Sequence, residues 1–400
     1  MNLYLIIFLI LAAGAVWEWF RPQYGKYIYW CCWGLAAVCL CLRFGQGTDY
    51  VTYHGLYETI PAYIDLSQGY ICGFYPEIGW RLISAVFKLF HAPFWVFTFA
   101  LGLADMLLLH RFLNKYVPLR TAGLFLSYPV LYLVYLVSGL RQGLAICIFL
   151  GVAVPFYLEK KWVRYIVSVL IAASFHRVGY AWLVLPVVYY LPVYVILVLL
   201  GLSIAGGLVL QIGAVEQLIT NVLPMYHVKQ FLLDGEISLF AVGERLVSAA
   251  AILILYFWKK KKDGRPEQRT ALLLKAYLCG TCFYMLMCGS SYYASRYCVI
   301  FKVLECALAV LLISERDKIA KTGAAFFLGL TLVMGIKNLN AMVYEGYYYQ
   351  QNGVTLWTYP YISVFNQEKI NDYFDYQDGV GNIYNYNVGD QELWRVEEQQ

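Results

Sequence analysis

Apolar runs recur along nearly the whole chain, each close to the ~20 residues that carry a helix across the hydrocarbon of a bilayer, and short charged stretches break them apart. Lipid offers no hydrogen-bond partners, so a run of this length and composition predicts a membrane-spanning helix, which satisfies its own backbone. Hydropathy gives about twelve crossings, at residues 2–20, 27–44, 93–113, 121–139, 141–158, 162–176, 178–192, 194–211, 241–258, 271–289, 297–313 and 322–340. The two runs flanking His176 and Arg177 are short. They are expected to form a hairpin that turns before the far headgroups and holds both side chains in a protein-lined cavity. The expected fold class is all-α: a polytopic integral membrane protein of about twelve helices, short or re-entrant segments included, with a cavity at its outer face.

Composition agrees and adds an orientation. Of 400 residues 61% are hydrophobic and 14% charged, against about a quarter charged in soluble domains. With the loops after the first, third, fifth, ninth and eleventh runs in the cytoplasm, that side holds Arg21, Lys26, Lys115, Lys160, Lys161, Lys259 to Lys262, Lys318 and Lys321, as the positive-inside bias requires. The other face receives both termini, the loops 45–92 and 212–240, and short turns at 138–143, 176–177 and 290–296. Residues 1–340 form the transmembrane unit. Residues 341–400 form a tail rich in Tyr and Asn with nine carboxylates against Lys369 and Arg395, a composition suited to an exported segment.

The first run lacks the basic region and cleavage site of a removable signal and reads as a retained anchor. The eleven Cys lie mostly inside apolar runs, where they behave as small hydrophobes, and Cys72 alone falls in an outer loop. Neither a GxxxxGK[ST] phosphate loop nor a HExxH pair occurs, so no cofactor and no metal is expected. The net charge of +5 is mostly topological, and nucleic acid is not an expected partner.

Five polar clusters remain on the outer face. Arg141, followed by Gln142, stands where two apolar runs meet, and a lone cation at membrane depth calls for protein, water or an anionic ligand around it. Arg43 to Glu58 leaves the second run through a glycine-rich turn, with Asp49 beside Arg43 and with Tyr50, Tyr53 and Tyr57 on one face if helical. Those tyrosines suit sugar stacking or an interfacial aromatic belt, and Asp49 suits either chemistry or a structural ion pair with Arg43. Glu77 opens an amphipathic stretch at 77–90, where it is a capping acid paired with Arg81 at i+4 or a group near a reacting hydroxyl. His176 with Arg177, and Arg296 with Tyr297 amid Ser and Tyr, complete the set. Three cations, Arg141, Arg177 and Arg296, share one face in short turns. Phosphate oxygens are the natural partner, because the planar guanidinium donates two hydrogen bonds at once.

The elements Gly47–Tyr53 (GTDYxxY), Glu77–Trp80 (EIGW), Ser138–Ala145 (SGLRQGLA), Phe175–Arg177 (FHR) and Ser295–Tyr297 (SRY) resemble, in type and order, the EpsG family of Wzy-type polysaccharide polymerases. The resemblance covers roughly residues 1–340, with Val178 where members often carry a small hydroxyl residue. It implies a transferase at the outer face of a bacterial cytoplasmic membrane that passes an oligosaccharide from polyprenyl pyrophosphate (undecaprenyl pyrophosphate) to a hydroxyl of another lipid-linked repeat, for exopolysaccharide or capsule. Donor and acceptor are then both polyprenyl-pyrophosphate-linked oligosaccharides, membrane lipid surrounds them, and a flippase and a chain-length regulator are partners.

On that implication Arg141 and Arg177 stabilise the departing pyrophosphate, with Arg296 as a third. His176, then Asp49, then Glu77 are candidates for handling the acceptor proton. Gln142 and Tyr53 orient sugar hydroxyls, and Tyr50, Arg81 and Tyr297 complete the substrate-contacting set. A transporter of lipid-linked oligosaccharide (a flippase) needs an arginine-lined cavity too, but ordinarily shows internal repeats and midplane charges. An outer-face glycan ligase or acyltransferase differs only in the acceptor.

Overall fold

The computed structural model describes residues 2–59, 64–65, 70–71, 77–212, 237–264, 267–315, 317–344, 353–373 and 375–382. Most of the 212–240 loop, Cys72, residues 73–76 and the tail from 383 lie outside the described residues. Among the described residues the regular structure is helical apart from a two-residue antiparallel pairing of β1 (Ile64–Asp65) with β2 (Tyr70–Ile71) and a single bridge between Arg43 and Ser363.

Each apolar run is helical. Helix α1 (Leu3–Phe20) begins where the Asn2 carboxamide oxygen accepts from the N–H groups of Tyr4 (3.0 Å) and Leu5 (3.3 Å), which gives partners to donors that no helix start can satisfy alone. Then follow α2 (Gly25–Leu42), α3 (Tyr50–Thr59), α4 (Ile78–Leu89) and α5 (Phe94–Tyr116). Helix α6 (Arg120–Ser127) runs on as a π-helix over Tyr128–Leu136. Helix α7 (Leu140–Ile148) passes through a π-helical stretch at Phe149–Ala153 into α8 (Val154–Leu158). The chain continues through α9 (Trp162–Ala173), a 3₁₀ segment at Arg177–Val184, α10 (Leu185–Tyr190) and α11 (Val193–Val209). After the loop come α12 (Leu239–Asp263), α13 (Gln268–Leu286), α14 (Ser291–Lys302), α15 (Leu304–Ile313) and α16 (Lys318–Tyr344).

Among the described residues six helices are long and apolar enough to cross a membrane: Leu3–Phe20, Pro22–Leu42, Phe94–Tyr116, Leu140–Leu158, Leu239–Asp263 and Lys318–Tyr344. Trp162–Ala173, Val193–Val209 and Leu304–Ile313 are apolar but shorter. At 1.5 Å per residue α9 covers about 18 Å, short of the ~30 Å hydrocarbon core. The chain turns back at its end through Ser174 to His176, as the hairpin expectation has it. Trp182 fixes the returning limb. Its ring stacks on Phe149 at 4.1 Å, its indole N–H donates to Ile300 O (3.2 Å), and its own carbonyl accepts from Tyr165 OH (2.7 Å).

Charge separates the two ends of the bundle. At one end Lys115 and Lys161 pair with Glu159, and Lys259 and Lys262 pair with Glu315. Near that end the buried Glu18 carboxylate accepts from Thr121 N (2.8 Å) and Ala122 N (3.1 Å), capping α6 from a different helix. At the other end the Leu42–Asp49 turn meets Ser138, through the Thr48 N–H to Ser138 Oγ hydrogen bond (3.1 Å).

Residues 353–382 pack across that second end. Phe44 N donates to Ile362 O (2.9 Å) and Val364 N to Leu42 O (3.0 Å). Tyr361 OH donates to Cys39 O (2.9 Å), and Gln46 binds both Pro360 O and Ile362 N. Part of the acidic tail is thus a strap over the turn that carries Asp49. Ile362 is 1% exposed, so Ile362→Ala should cost about 2–4 kcal/mol, read as a lower thermal midpoint in detergent, whereas Phe365→Ala, at an exposed position of the same strap, should leave the midpoint unchanged.

Candidate functional site

Asp49 is placed by the turn before it. The guanidinium of Arg43, buried at 1% exposure, donates to Leu40 O (2.5 Å) and Leu136 O (3.0 Å), so one cation satisfies carbonyls at the ends of α2 and of the Tyr128–Leu136 helix. Arg43 therefore does not pair with Asp49, the bland alternative read from their proximity in sequence. Gly47 sits at φ +111°, a left-handed conformation, and a Cβ there would lie 2.4 Å from Val137 O. Only glycine lets the turn approach that closely. Asp49 is consequently held at the surface with Thr48 Oγ1 as its hydrogen-bond donor (3.3 Å). Lost hydration raises its carboxyl above the ordinary aspartate range, while Arg296 and Arg141 pull it down.

Helix α3 forms with the three tyrosines inward, as the spacing predicts, but they divide. Tyr50 packs edge-on to Phe94 (5.2 Å) under Arg43, and Tyr57 packs on Phe94 and Phe97 with its hydroxyl on Ala92 O (2.8 Å). Both are core residues of the loop region. Tyr53 packs on Trp80 at 5.5 Å and accepts from Arg141 Nε at 3.4 Å, so it alone of the three reaches the arginine.

Glu77 is the N-cap residue of α4, matching the expected helix start. Its carboxylate reaches Arg141 Nη1 at 2.6 Å, with the two side chains 6% and 14% exposed, and also accepts from the Arg177 N–H at 3.5 Å. The acid is joined to Arg141 across the chain, while Arg81 meets it through the helix backbone, N–H to Glu77 O at 3.2 Å. Gly79 permits the approach: its N–H donates to Ser174 O (2.8 Å), and a Cβ would stand 2.3 Å from Ser174 Oγ. The EIGW and FHR elements are thereby one contact.

Arg296 lies one turn into α14, inside a helix where a short turn was expected. Gln142 Nε2 donates to its carbonyl (3.1 Å), joining the RQG and SRY elements. Burial, reinforced by Arg141, Arg296 and Arg177, pushes the His176 imidazole down to about 3. Nδ1 of that ring accepts from Val178 N (3.4 Å), so the neutral ring carries its proton on Nε2 and offers a donor. Tyr297 lies within electrostatic reach of Arg177. The structure thus gathers Asp49, Tyr53, Glu77, Arg141, Gln142, His176, Arg177, Arg296 and Tyr297, and leaves Tyr50 behind them in the core.

The model of the EpsG family matches residues 26–352. The chain belongs to the EpsG family. No curated protein and no solved structure matches it. The EpsG match takes in every element of this site and ends just before the strap.

One further charged group in this EpsG chain lies outside the five clusters expected from sequence. Lys302 Nζ lies 2.7 Å from Glu244 Oε1 and 3.0 Å from Glu305 Oε2, Glu305 also accepts from Tyr277 OH (2.7 Å) and Ser248, and Arg245 stands 3.5 Å from Glu244. The signal was present as charges inside the apolar runs 241–258 and 297–313.

Breaking one side of a buried pair strands the other charge. Arg141→Ala should therefore destabilise the protein by about 3–5 kcal/mol, and Glu77→Leu combined with Arg141→Leu by clearly less, as a double-mutant cycle on thermal midpoints will read. His176 adds a pH test. Its folded-state pKa of about 3 lies below the histidine value near 6.5, so the unfolded chain binds the extra proton and stability is lost as pH falls from about 6.5 toward 3. His176→Gln should flatten that part of the stability profile.

Proposed function

We propose that this EpsG-family protein is a membrane glycosyltransferase that joins polyprenyl-pyrophosphate-linked oligosaccharide repeats into a polysaccharide. The observation that carries the reading is one cluster in which Glu77 holds Arg141 and the Arg177 N–H and Gln142 holds the Arg296 carbonyl, with all three arginines acting on His176 and the exposed Asp49 close by. Three guanidiniums and an imidazole N–H make a donor-rich surface for an anion, and Glu77 neutralises only part of it. Cleavage of a glycosyl pyrophosphate builds negative charge on the leaving group, and donors already in place stabilise it without reorganisation.

The step is a displacement. The acceptor hydroxyl oxygen forms a bond to the anomeric carbon as the bond from that carbon to the pyrophosphate oxygen breaks. The proton passes to a base, and polyprenyl pyrophosphate departs with the bonding electrons. Asp49 is the base of choice among the candidates. His176 is too weakly basic near 3, and the Glu77 carboxylate is engaged by Arg141 and the Arg177 N–H. Gln142 and Tyr53, bonded to the Arg296 carbonyl and to Arg141, orient sugar hydroxyls. Energy comes from the pyrophosphate linkage, so neither nucleotide nor metal is required. The lysine-rich end faces the cytoplasm by the positive-inside rule, which turns the arginine end outward from a bacterial cytoplasmic membrane.

In proteoliposomes containing only the pure protein and lipid-linked oligosaccharide, chains should lengthen without ATP, nucleotide sugar or added metal. Asp49→Asn should slow lengthening at least ~100-fold, and the wild-type rate should fall on the acid side above the ordinary aspartate range, since the Asp49 carboxyl is raised. A strict requirement for a divalent metal contradicts this mechanism, and movement of unextended repeats across the bilayer identifies a transporter instead.

A further inference from the structure

At the lysine-rich end of the bundle α1 and α16 stand apart. Farther along they touch, for Gly335 lies so close to the Phe8 ring that a Cβ there would be 2.1 Å from Phe8 Cζ. Toward the lysine-rich end each helix is tied to a different neighbour. The Glu18 carboxylate, bonded to Thr121 N and Ala122 N, holds α1 to α6, and Gly323 sets α16 against Leu255 and Ile313. Between them opens a groove of about 410 Å³, with Val16, Trp19 and Phe20 on one side and Phe327 on the other. Phe125, 1% exposed and stacked on Phe8 at 5.4 Å, forms its back.

The mouth of this groove faces hydrocarbon. Helices α1 and α16 are both long and apolar enough to cross a membrane, and Val16 and Phe20 are exposed beside the opening. What enters therefore comes from the bilayer. The volume is about fourteen times the ~30 Å³ share of one water, enough for a stretch of acyl chain, and an unfilled cleft forfeits dispersion contacts along its walls.

One charge breaks the apolar lining, that of Lys321. It stands in the first turn of α16, and Leu328 lines the groove two turns deeper, about 10 Å along the helix. The groove thus runs from a cation at the membrane surface to carbon within the membrane, the layout of a phospholipid. Its cation is also uncommitted. Lys259 and Lys262, at the same end, are paired with Glu315, whereas the Lys321 ammonium has no ion pair or side-chain hydrogen bond among the described residues. Arg21, exposed and next in the chain after Phe20, adds a second positive charge at that end. A basic cleft between spanning helices on the cytoplasmic side favours lipid of net negative charge.

We infer that this groove holds an acyl chain of one anionic phospholipid of the cytoplasmic leaflet, with the headgroup at Lys321. The site lies at the opposite end of the bundle from the arginines, and it stands whether or not the transferase function does.

The test uses the full-length protein in nanodiscs with two probes, phosphatidylglycerol and phosphatidylcholine, each carrying a diazirine in mid-chain and present at the same mole fraction, with the cross-linked residues mapped by mass spectrometry. Phosphatidylglycerol should label the groove walls at 15–20 and 321–328 at least about fivefold more than phosphatidylcholine. Lys321→Gln, at an exposed position that folding tolerates, should cut phosphatidylglycerol labelling there about fivefold and leave phosphatidylcholine unchanged. Ala325→Trp fills the groove from its wall with the charge intact and should lower labelling by both. Equal labelling by the two probes in the wild type, phosphatidylglycerol labelling unmoved by Lys321→Gln, or labelling unmoved by Ala325→Trp overturns the inference. Cross-links joining the groove residues of two copies in place of lipid overturn it too, and assign the groove to a dimer.

Discussion

The ion pair between Arg141 and Glu77, 2.6 Å long and largely buried, is the contact on which this site depends. A cation at the start of an apolar helix is tolerable only if something answers its charge, and here the answer comes from a different part of the chain. Because Glu77 also receives the Arg177 N–H, the pair joins α4, α7 and the hairpin turn at one point. Backbone contact between Gly79 and Ser174 fixes their spacing. Without the acid, three arginines brought together would repel one another. With it, the cluster keeps a positive surplus and stays assembled.

Lost hydration and that surplus together set the chemistry of the neighbouring side chains. His176, surrounded by guanidiniums and shielded from water, is held neutral and turned into a hydrogen-bond donor. Asp49, at the surface of the same region, moves the other way and retains proton affinity. The arginines thus make an anion-binding surface, while lost hydration, acting against them, keeps the Asp49 carboxyl at its edge raised. The balanced network of Glu244, Arg245, Lys302 and Glu305 on the far side of Tyr135 is built on the opposite principle. Its charges cancel one another inside the bundle.

Local sequence rules read well what local physics controls. The apolar runs appear as helices, Glu77 opens its helix, Gly47 marks a real turn, and the short runs about His176 do form a hairpin. The same rules offered sequence-near partners for two charged residues, and packing supplies more distant ones. Arg81 is the helical neighbour of Glu77 and Arg43 the sequence neighbour of Asp49, yet tertiary packing joins Glu77 to Arg141 and Arg43 to helix-end carbonyls. Spacing along a helix or turn ranks nearby partners, whereas buried charges go wherever desolvation is best compensated, and that is not encoded in spacing. The docking of residues 353–382 was hidden for a similar reason, since its acidic composition resembles a solvated extension while Ile362 and its hydrogen bonds hold it to the bundle. The charges at 244, 245, 302 and 305 were visible in sequence as interruptions of apolar runs.

The central claim is that the arginine cluster receives a pyrophosphate that leaves as a glycosidic bond forms. The most direct measurement is the stoichiometry of release: purified protein in sealed vesicles, lipid-linked oligosaccharide labelled in the lipid, and the polyprenyl pyrophosphate set free counted against each repeat added. The account predicts one molecule of polyprenyl pyrophosphate for every new linkage. Lengthening without its release, or transfer of intact lipid-linked repeats across the bilayer with no new linkage, would contradict it.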